Sequence, residues 1–116
     1  MVQTPATNTE QWLTVCQVTD IEPNTGVCAL INNEQVAIFR IGETEEVYAI
    51  GNFDPFSKAY VLSRGIIGDR NGILKVASPI YKQNFNLKTG ECLDDESVNV
   101  PSYPVKVVDG SIQVSQ

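Results

Sequence analysis

The sequence predicts an all-β fold, a sandwich or barrel with little helix. Short apolar runs are separated by turn signals rich in Gly, Asn, Asp and Pro at regular spacing. Near the end of the chain, Asp109-Gly110 stands between two runs of alternating apolar residues, from Val105 to Val114, which is a specific signal for a β-hairpin. No segment carries a helical pattern longer than one or two turns. These three observations favour the all-β class.

The first half of the chain is predicted to form four strands joined by polar turns. The strands are expected over residues 12–18, 27–31, 35–41 and 47–50. Asn32-Asn33 is expected to turn the chain after the second strand, because Asn takes left-handed conformations at low cost.

In the second half, residues 57–65 are too irregular for a long strand and predict at most one or two helical turns, stopped by Gly65. Asn71-Gly72 is a hairpin signal before a strand at 73–77. A further short strand is expected at 85–87, ahead of the closing hairpin.

With 116 residues, the chain is long enough for one domain with its own core. We expect that domain over residues 11–116, after a flexible arm at 1–10. This arm has no Lys, Arg or apolar segment and is therefore not a signal peptide. No apolar run approaches the roughly 20 residues of a membrane span, so no membrane contact is expected.

Three cysteines without a C-x-x-C spacing predict reduced thiols and a cytoplasmic protein. Cys16 and Cys28 lie in apolar runs and are expected in the core. The absence of histidine excludes Ser-His-Asp and Cys-His nucleophile pairs, His-bearing zinc sites and His-ligated haem. Three cysteines are one short of a Cys-only iron–sulfur site. Catalysis by this chain alone is not expected, although carboxylate chemistry stays open.

The net charge of −6 argues against nucleic-acid binding, which depends on neutralising phosphates. Six of the eight basic residues nevertheless lie between positions 58 and 88, where Asp69 is the only acidic residue. They are Lys58, Arg64, Arg70, Lys75, Lys82 and Lys88. Two interpretations stay open: a solvated basic face, or a docking patch for an acidic partner surface.

Two Pro-bearing loops, at residues 51–56 and 76–91, are similar to the two cluster-binding loops of Rieske-type domains. In that family each loop supplies one Cys and one His to a [2Fe–2S] centre. Matching the loops places Asp54 and Ser78 at the Cys positions, and Phe56 and Tyr81 at the His positions. The resemblance implies a Rieske-like β-sandwich with a degenerate cluster-binding subdomain at residues 52–86, and no cofactor in this chain.

A narrower resemblance lies in the residues around those positions. Its segments are residues 25–30, 34–40, 54–56, 61–65, 76–79, 82–85 and 89–92. They look like the small subunit of cytoplasmic NADH-dependent nitrite reductases, a Rieske-like domain without a cluster. The resemblance implies a large-subunit partner that carries FAD, sirohaem and a [4Fe–4S] cluster and reduces nitrite to ammonium in nitrate assimilation.

In cluster-bearing relatives the loop tips are the docking surface for redox partners. We hypothesise that this surface was retained after the cluster was lost, and that it has an aromatic and aliphatic centre and a basic rim. The centre comprises Phe53, Phe56, Ile80 and Tyr81, and the rim comprises Lys58, Arg64 and Lys82. The alternative is that the aromatic residues only rebuild a core.

Asp54 is expected to cap its own loop, and Ser78 to bond nearby backbone. Two other function classes stay open: a stand-alone interaction or regulatory module for another oxidoreductase, and an enzyme or electron carrier with an unrecognised site. Bound iron or flavin would favour the latter.

Overall fold

A computed structural model describes residues 12–115 of the chain, so the predicted arm at 1–10 lies outside the described residues. These residues form antiparallel β-strands and two single turns of 3-10 helix, Val18–Asp20 and Leu62–Arg64. The strands are β1 Trp12–Gln17, β2 Thr25–Ile31, β3 Glu34–Ile41, β4 Glu46–Gly51, β5 Phe53–Asp54, β6 Ala59–Tyr60, β7 Ile66–Arg70, β8 Ile73–Ala77, β9 Asn84–Asn86, β10 Ser102–Tyr103, β11 Val105–Val108 and β12 Ser111–Ser115. The predicted all-β class is confirmed.

Two of the sheets form a sandwich. One has the strand order β1-β12-β11 and the other has the order β10-β4-β3-β2. The apolar core between them contains Val36 and Ile38 from the larger sheet and Ile112 and Val114 from the smaller one.

The opposite face of the larger sheet is covered by the part of the chain between β4 and β10, called the excursion below. It contains two further sheets, β5-β6 and β7-β8-β9, and the predicted 52–86 subdomain lies within it. A second apolar cluster, with Phe85, Leu87 and Val100 from the excursion, packs on this face.

Strand β3 carries both cores because its side chains alternate between the two faces of the sheet. Val36 and Ile38 point into the sandwich, while Ala37 and Phe39 point toward the excursion. All four side chains are fully buried. A strand buried on both faces reads as a continuous apolar run, as this one does.

The three predicted turn dipeptides are confirmed by their backbone angles. Both central residues have positive φ in each turn: 50° and 68° at Asn32-Asn33, 54° and 87° at Asn71-Gly72, and 52° and 81° at Asp109-Gly110. This combination belongs to type I′ turns, whose twist matches that of the paired strands.

Several short elements lie outside the sequence prediction. Strand β7 was not predicted, although a hairpin at Asn71-Gly72 requires a strand on each side of the turn. Strands β5, β6 and β10 have two residues each, too few for a periodic pattern to be visible. Strand β10 lies between Pro101 and Pro104 and pairs with β4.

The expectation that Cys16 and Cys28 are core residues is wrong for Cys28. Its side chain is exposed, because it lies on the face of the edge strand β2 opposite the sandwich core, at a place that the excursion does not bury. Cys16 is half-buried, and Cys92 is the buried thiol. Within residues 12–115, no helix is long and apolar enough to cross a membrane.

We predict that Gly90→Ala destabilises the protein more than Gly72→Ala does. Both glycines have positive φ, +81° and +87° respectively. A Cβ at position 90 would lie 2.0 Å from the carbonyl oxygen of Val100, whereas a Cβ at position 72 would meet nothing within 4 Å. Gly72→Ala is expected to lower the free energy of unfolding by about 1–2 kcal/mol, the cost of left-handed backbone alone. Gly90→Ala adds a backbone clash, and chemical denaturation of the two variants should show the larger loss there.

Candidate functional site

The two loops of the excursion have the same backbone geometry. Loop 1 is Asp54–Lys58 and loop 2 is Ser78–Lys82, each with the pattern x-Pro-x-x-Lys. In loop 1 the amide of Lys58 donates to the carbonyl oxygen of Asp54 at 2.7 Å, and in loop 2 the amide of Lys82 donates to that of Ser78 at 3.1 Å. Each lysine has a left-handed backbone, with φ of 59° and 66°. The loops are therefore two copies of one turn.

A buried side-chain hydrogen bond joins the first residues of the two loops. The Ser78 hydroxyl donates to Oδ2 of Asp54 at 2.5 Å, and the two residues are 1% and 0% exposed. Oδ2 also accepts from the Ser57 hydroxyl at 2.9 Å, and Oδ1 accepts from the Phe56 amide at 2.9 Å. The expectation that Asp54 caps its own loop is confirmed.

These donors keep Asp54 ionised although it is buried. Burial raises the pKa of its carboxyl group, because a charge is poorly solvated there. Hydrogen bonds from the Ser78 hydroxyl, the Phe56 amide and the Ser57 hydroxyl and amide oppose this effect, and the pKa lies below its ordinary value. The expectation for Ser78 is met in part: its oxygen accepts weakly from the Ile80 amide, at 3.4 Å, but its main partner is the other loop.

Asn52 attaches loop 1 to the sandwich. Its side chain is 1% exposed and donates to Oε1 of Gln35 at 3.0 Å, while its own oxygen accepts from the Ser63 amide at 2.7 Å. Its main chain accepts from the Leu62 amide and donates to the Gln35 carbonyl oxygen. One residue thus links β3, loop 1 and the second 3-10 turn.

The four positions that match Rieske ligands do not suit a [2Fe–2S] centre. Such a centre needs two thiolates and two imidazoles, and this chain offers a carboxylate, a phenyl ring, a hydroxyl and a phenol. Asp54 and Ser78 are bonded to each other, and the half-buried ring of Phe56 packs 6.2 Å from that of Phe85. Among the described residues, no group of three or more His, Cys, Asp or Glu side chains is placed to hold a metal ion.

Most of the predicted interface residues lie exposed on the loops. Ile80 and Tyr81 of loop 2 are 46% and 60% exposed, and Lys58 and Lys82 are exposed at the ends of the two loops. Arg64 is also exposed, at the second 3-10 turn. Phe56 differs from these, since it is half-buried against the second apolar cluster.

Phe53 lies on the other face of β5. Neighbouring residues of a strand point to opposite sides, so Phe53 points away from the side chain of Asp54 and from its hydrogen bond with Ser78. Its ring is 38% exposed and packs edge-on against Tyr60, with 5.0 Å between the ring centres. The two rings line a cleft at the base of loop 1.

The six basic residues between positions 58 and 88 divide into two groups. Arg70 pairs with Asp94 at 3.2 Å, and Lys75 donates to Oδ1 of Asn84 at 2.7 Å. The other four form no ion pair or hydrogen bond through their side chains with residues 12–115; they are Lys58, Arg64, Lys82 and Lys88. Their charges remain available to a partner.

Sequence reasoning missed the hydrogen bond between the loops. The signal that could have found it is the x-Pro-x-x-Lys pattern, which recurs at Asp54 and Ser78. Two loops of the same form place equivalent residues in equivalent positions. A carboxylate in one loop and a hydroxyl in the other are then a natural donor and acceptor pair.

We predict that Asp54→Asn lowers the free energy of unfolding at pH 7 by about 1–2 kcal/mol. Hydrogen bonds to a charged acceptor are worth about twice those to a neutral one, and the variant keeps the shape of the side chain. Asp95→Asn is the matched control. Asp95 also accepts from an amide and a hydroxyl, both of Ser97, but it is exposed and bonds to no second loop. An equal loss in both variants would contradict the role of the buried site.

The wild type and Asp54→Asn should also differ in how their stability depends on pH. The folded pKa of Asp54 lies below its ordinary value. Its stabilising contribution is therefore complete above the unfolded pKa, about 4, and is lost as the pH falls through the folded value. The stability difference between the wild type and Asp54→Asn should be constant from pH 7 to 5 and shrink progressively as the pH falls below about 4. Urea denaturation at each pH would measure it, and a difference that persists undiminished at the lowest pH would contradict an ionised Asp54.

The comparisons with known proteins agree with this geometry. Residues 11–115 match the family model of the Rieske-like [2Fe-2S] domain. The chain is 50% identical over 104 residues to the nitrite reductase (NADH) small subunit of Escherichia coli strain K12, covering 90% of this chain and 96% of that protein. It is 39% identical over 110 residues to the nitrite reductase [NAD(P)H] large subunit of Klebsiella oxytoca, covering 95% of this chain and 11% of that protein.

Among solved structures, the NMR structure of the Escherichia coli protein NirD superposes with a TM-score of 0.86 at 48% identity, covering 92% of this chain and 97% of that one. The extent of these matches, together with the paired loops, assigns the family. The chain belongs to the Rieske-like [2Fe-2S] domain family, and within it to the small subunits of NADH-dependent nitrite reductase.

Proposed function

We propose that this chain is the small, cofactor-free subunit of a cytoplasmic NAD(P)H-dependent nitrite reductase, which reduces nitrite to ammonium in nitrate assimilation. The observation that carries the proposal is the pair of equivalent loops joined by the Asp54–Ser78 hydrogen bond. The loops keep the form of a cluster-binding site, while a hydrogen bond between the loops stands where metal ligands would join them. In this proposal the loops serve as a binding surface, and the redox chemistry belongs to the partner.

In this proposal, loop 2 and the end of loop 1 contact the large subunit. Ile80 and Tyr81 form an exposed apolar centre. Lys58 and Lys82 are the last residues of the two loops, and their side chains form no ion pair with residues 12–115. Aromatic residues near the middle of an interface usually contribute most of its binding energy. The lysines favour an acidic surface on the partner, since complementary charge speeds association and selects orientation.

The relatives support a large-subunit partner. In Klebsiella oxytoca, a stretch similar to this chain makes up about a tenth of a protein that is itself a nitrite reductase large subunit. A stretch similar to 62% of this chain occurs within the nitrite reductase [NAD(P)H] of Emericella nidulans. Covalent linkage in those proteins is consistent with non-covalent association in this one.

Catalysis belongs to the complex in this proposal. FAD, sirohaem and the [4Fe–4S] cluster are expected in the large subunit, where electrons pass from NAD(P)H to nitrite. The small subunit contributes its folded surface and stabilises or orients the large one. Asp54, Phe56, Ser78 and Tyr81 then act as structural or contact residues and hold no metal.

The test is co-expression of the tagged chain with the large subunit encoded in the same organism, followed by affinity purification and an assay of NADH-driven nitrite reduction. Binding of the purified subunits is then measured for the wild type and for a Lys58→Glu, Tyr81→Ala, Lys82→Glu variant. We expect the variant to bind at least about tenfold more weakly, because it removes an aromatic contact and reverses two charges. Phe56 is left unchanged because its ring is part of the core packing.

Lys106→Glu is the control for charge, since Lys106 lies on β11 in the smaller sheet of the sandwich, and its ammonium group lies over the ring of Trp12. It should bind like the wild type. If the triple variant bound as tightly as the wild type, the subunit assignment would stand and the proposed interface at the loops would be wrong. No association by the wild type would overturn the proposal in favour of a stand-alone interaction module. Iron or flavin bound to the purified chain would overturn its cofactor-free character.

A further inference from the structure

A cleft of about 410 Å³ opens between the larger sheet and the base of loop 1. Its walls come from three separated parts of the chain: the turn between β2 and β3 with the strand residues beside it (30–35), the region of β5 and β6 (51–60), and residues 99–103, which include part of β10. The side chains that shape it are Leu30, Phe53, Tyr60, Pro101 and Tyr103. The proposed contact between the loops and the large subunit does not use these side chains, although the sequence analysis expected Phe53 in that contact.

The apolar walls of the cleft include exposed side chains, and two of its rings pack against each other. Leu30 is 70% exposed and Tyr60 is 57% exposed, both high values for large apolar or aromatic side chains. The rings of Phe53 and Tyr60 hold each other at an interplanar angle of 60°. Binding to rings that are already ordered costs little side-chain entropy, so such sites are favoured as interaction centres.

The charge of the cleft is opposite to that of the loop tips. Among its described lining residues, Glu34 is the single charged one. Its Oε1 accepts a hydrogen bond from the Tyr103 hydroxyl at 3.2 Å, which places the carboxylate beside an aromatic ring. A carboxylate together with aromatic rings attracts a cation, through an ion pair and through cation–π contacts.

We propose that this cleft receives an Arg or Lys side chain of the large subunit. The inference rests on the proposed function and adds a second contact to it. Pro55 of loop 1 also lines the cleft, so one partner surface can cover the loop tips and the cleft together. The partner would then present acidic groups to Lys58 and Lys82 and a basic group to Glu34. Two contacts of opposite sign fix the orientation in which the subunits meet.

The test compares Glu34→Lys with Glu45→Lys in binding assays with the purified large subunit. Both variants make the same change in net charge at an exposed residue. Glu34 begins β3 and lines the cleft, whereas Glu45 lies in the turn beyond the other end of that strand, roughly 20 Å or more away at the rise of a β-strand. We expect Glu34→Lys to weaken binding about tenfold or more and Glu45→Lys to change it less than about twofold.

A photo-crosslinking residue at Leu30 identifies what enters the cleft. Mass spectrometry of the complex should place the crosslink on a large-subunit segment that contains Arg or Lys. Replacing that basic residue by Glu should restore binding to Glu34→Lys. Two results would overturn the proposed binding of a basic side chain in the cleft and leave the subunit assignment intact. One is a wild-type complex whose affinity is the same as that of both Glu→Lys variants. The other is a crosslink to a segment without a basic residue. Absence of any wild-type complex would overturn both.

Discussion

The buried hydrogen bond between Asp54 and Ser78 holds the two loops of the excursion together. In a cluster-bearing Rieske domain, metal ligands from both loops do this. Here a carboxylate does so by accepting from the hydroxyls of Ser57 and Ser78 and from the Phe56 amide. A buried charge without its donors would be costly or would take up a proton. The position of both loop tips therefore depends on a fully bonded carboxylate rather than on an ion pair.

The loops keep their place on the sandwich because β3 is buried on both faces. Its alternating side chains supply one core to the sandwich and another to the excursion, so the two layers share a strand. Asn52 adds a polar link at the point where the chain leaves β4. Close packing on both sides leaves the strand little freedom to shift its register. Whatever meets the loop tips is consequently held at a fixed orientation to the larger sheet.

Local signals explain how much of the fold was visible in the sequence. Apolar alternation and the three type I′ turn dipeptides are properties of adjacent residues, and they located the main strands and hairpins. The two-residue strands were invisible because their pairing depends on tertiary position and not on a period. Cys28 was misplaced for a related reason: an apolar run does not reveal which face of an edge strand will be covered.

The candidate site was predictable in its location but not in its contacts. The family resemblance placed Asp54, Phe56, Ser78 and Tyr81 at the ligand positions, and the loops have the expected form. The bond between Asp54 and Ser78, the outward direction of Phe53 and the acidic cleft at Glu34 depend on how distant segments meet. Pairing of charges is another such property, since Arg70 and Lys75 have partners and Lys58 and Lys82 have none among residues 12–115.

The pairing of β1 with β12 brings Trp12 opposite Ser115, so the chain enters and leaves the fold at neighbouring points. Domains with adjacent ends can be inserted into or appended to another protein with little distortion of either. This fold is therefore suited to fusion with, or insertion into, a longer polypeptide. The Klebsiella oxytoca protein, in which the matching stretch fills 11% of the length, is such a longer polypeptide.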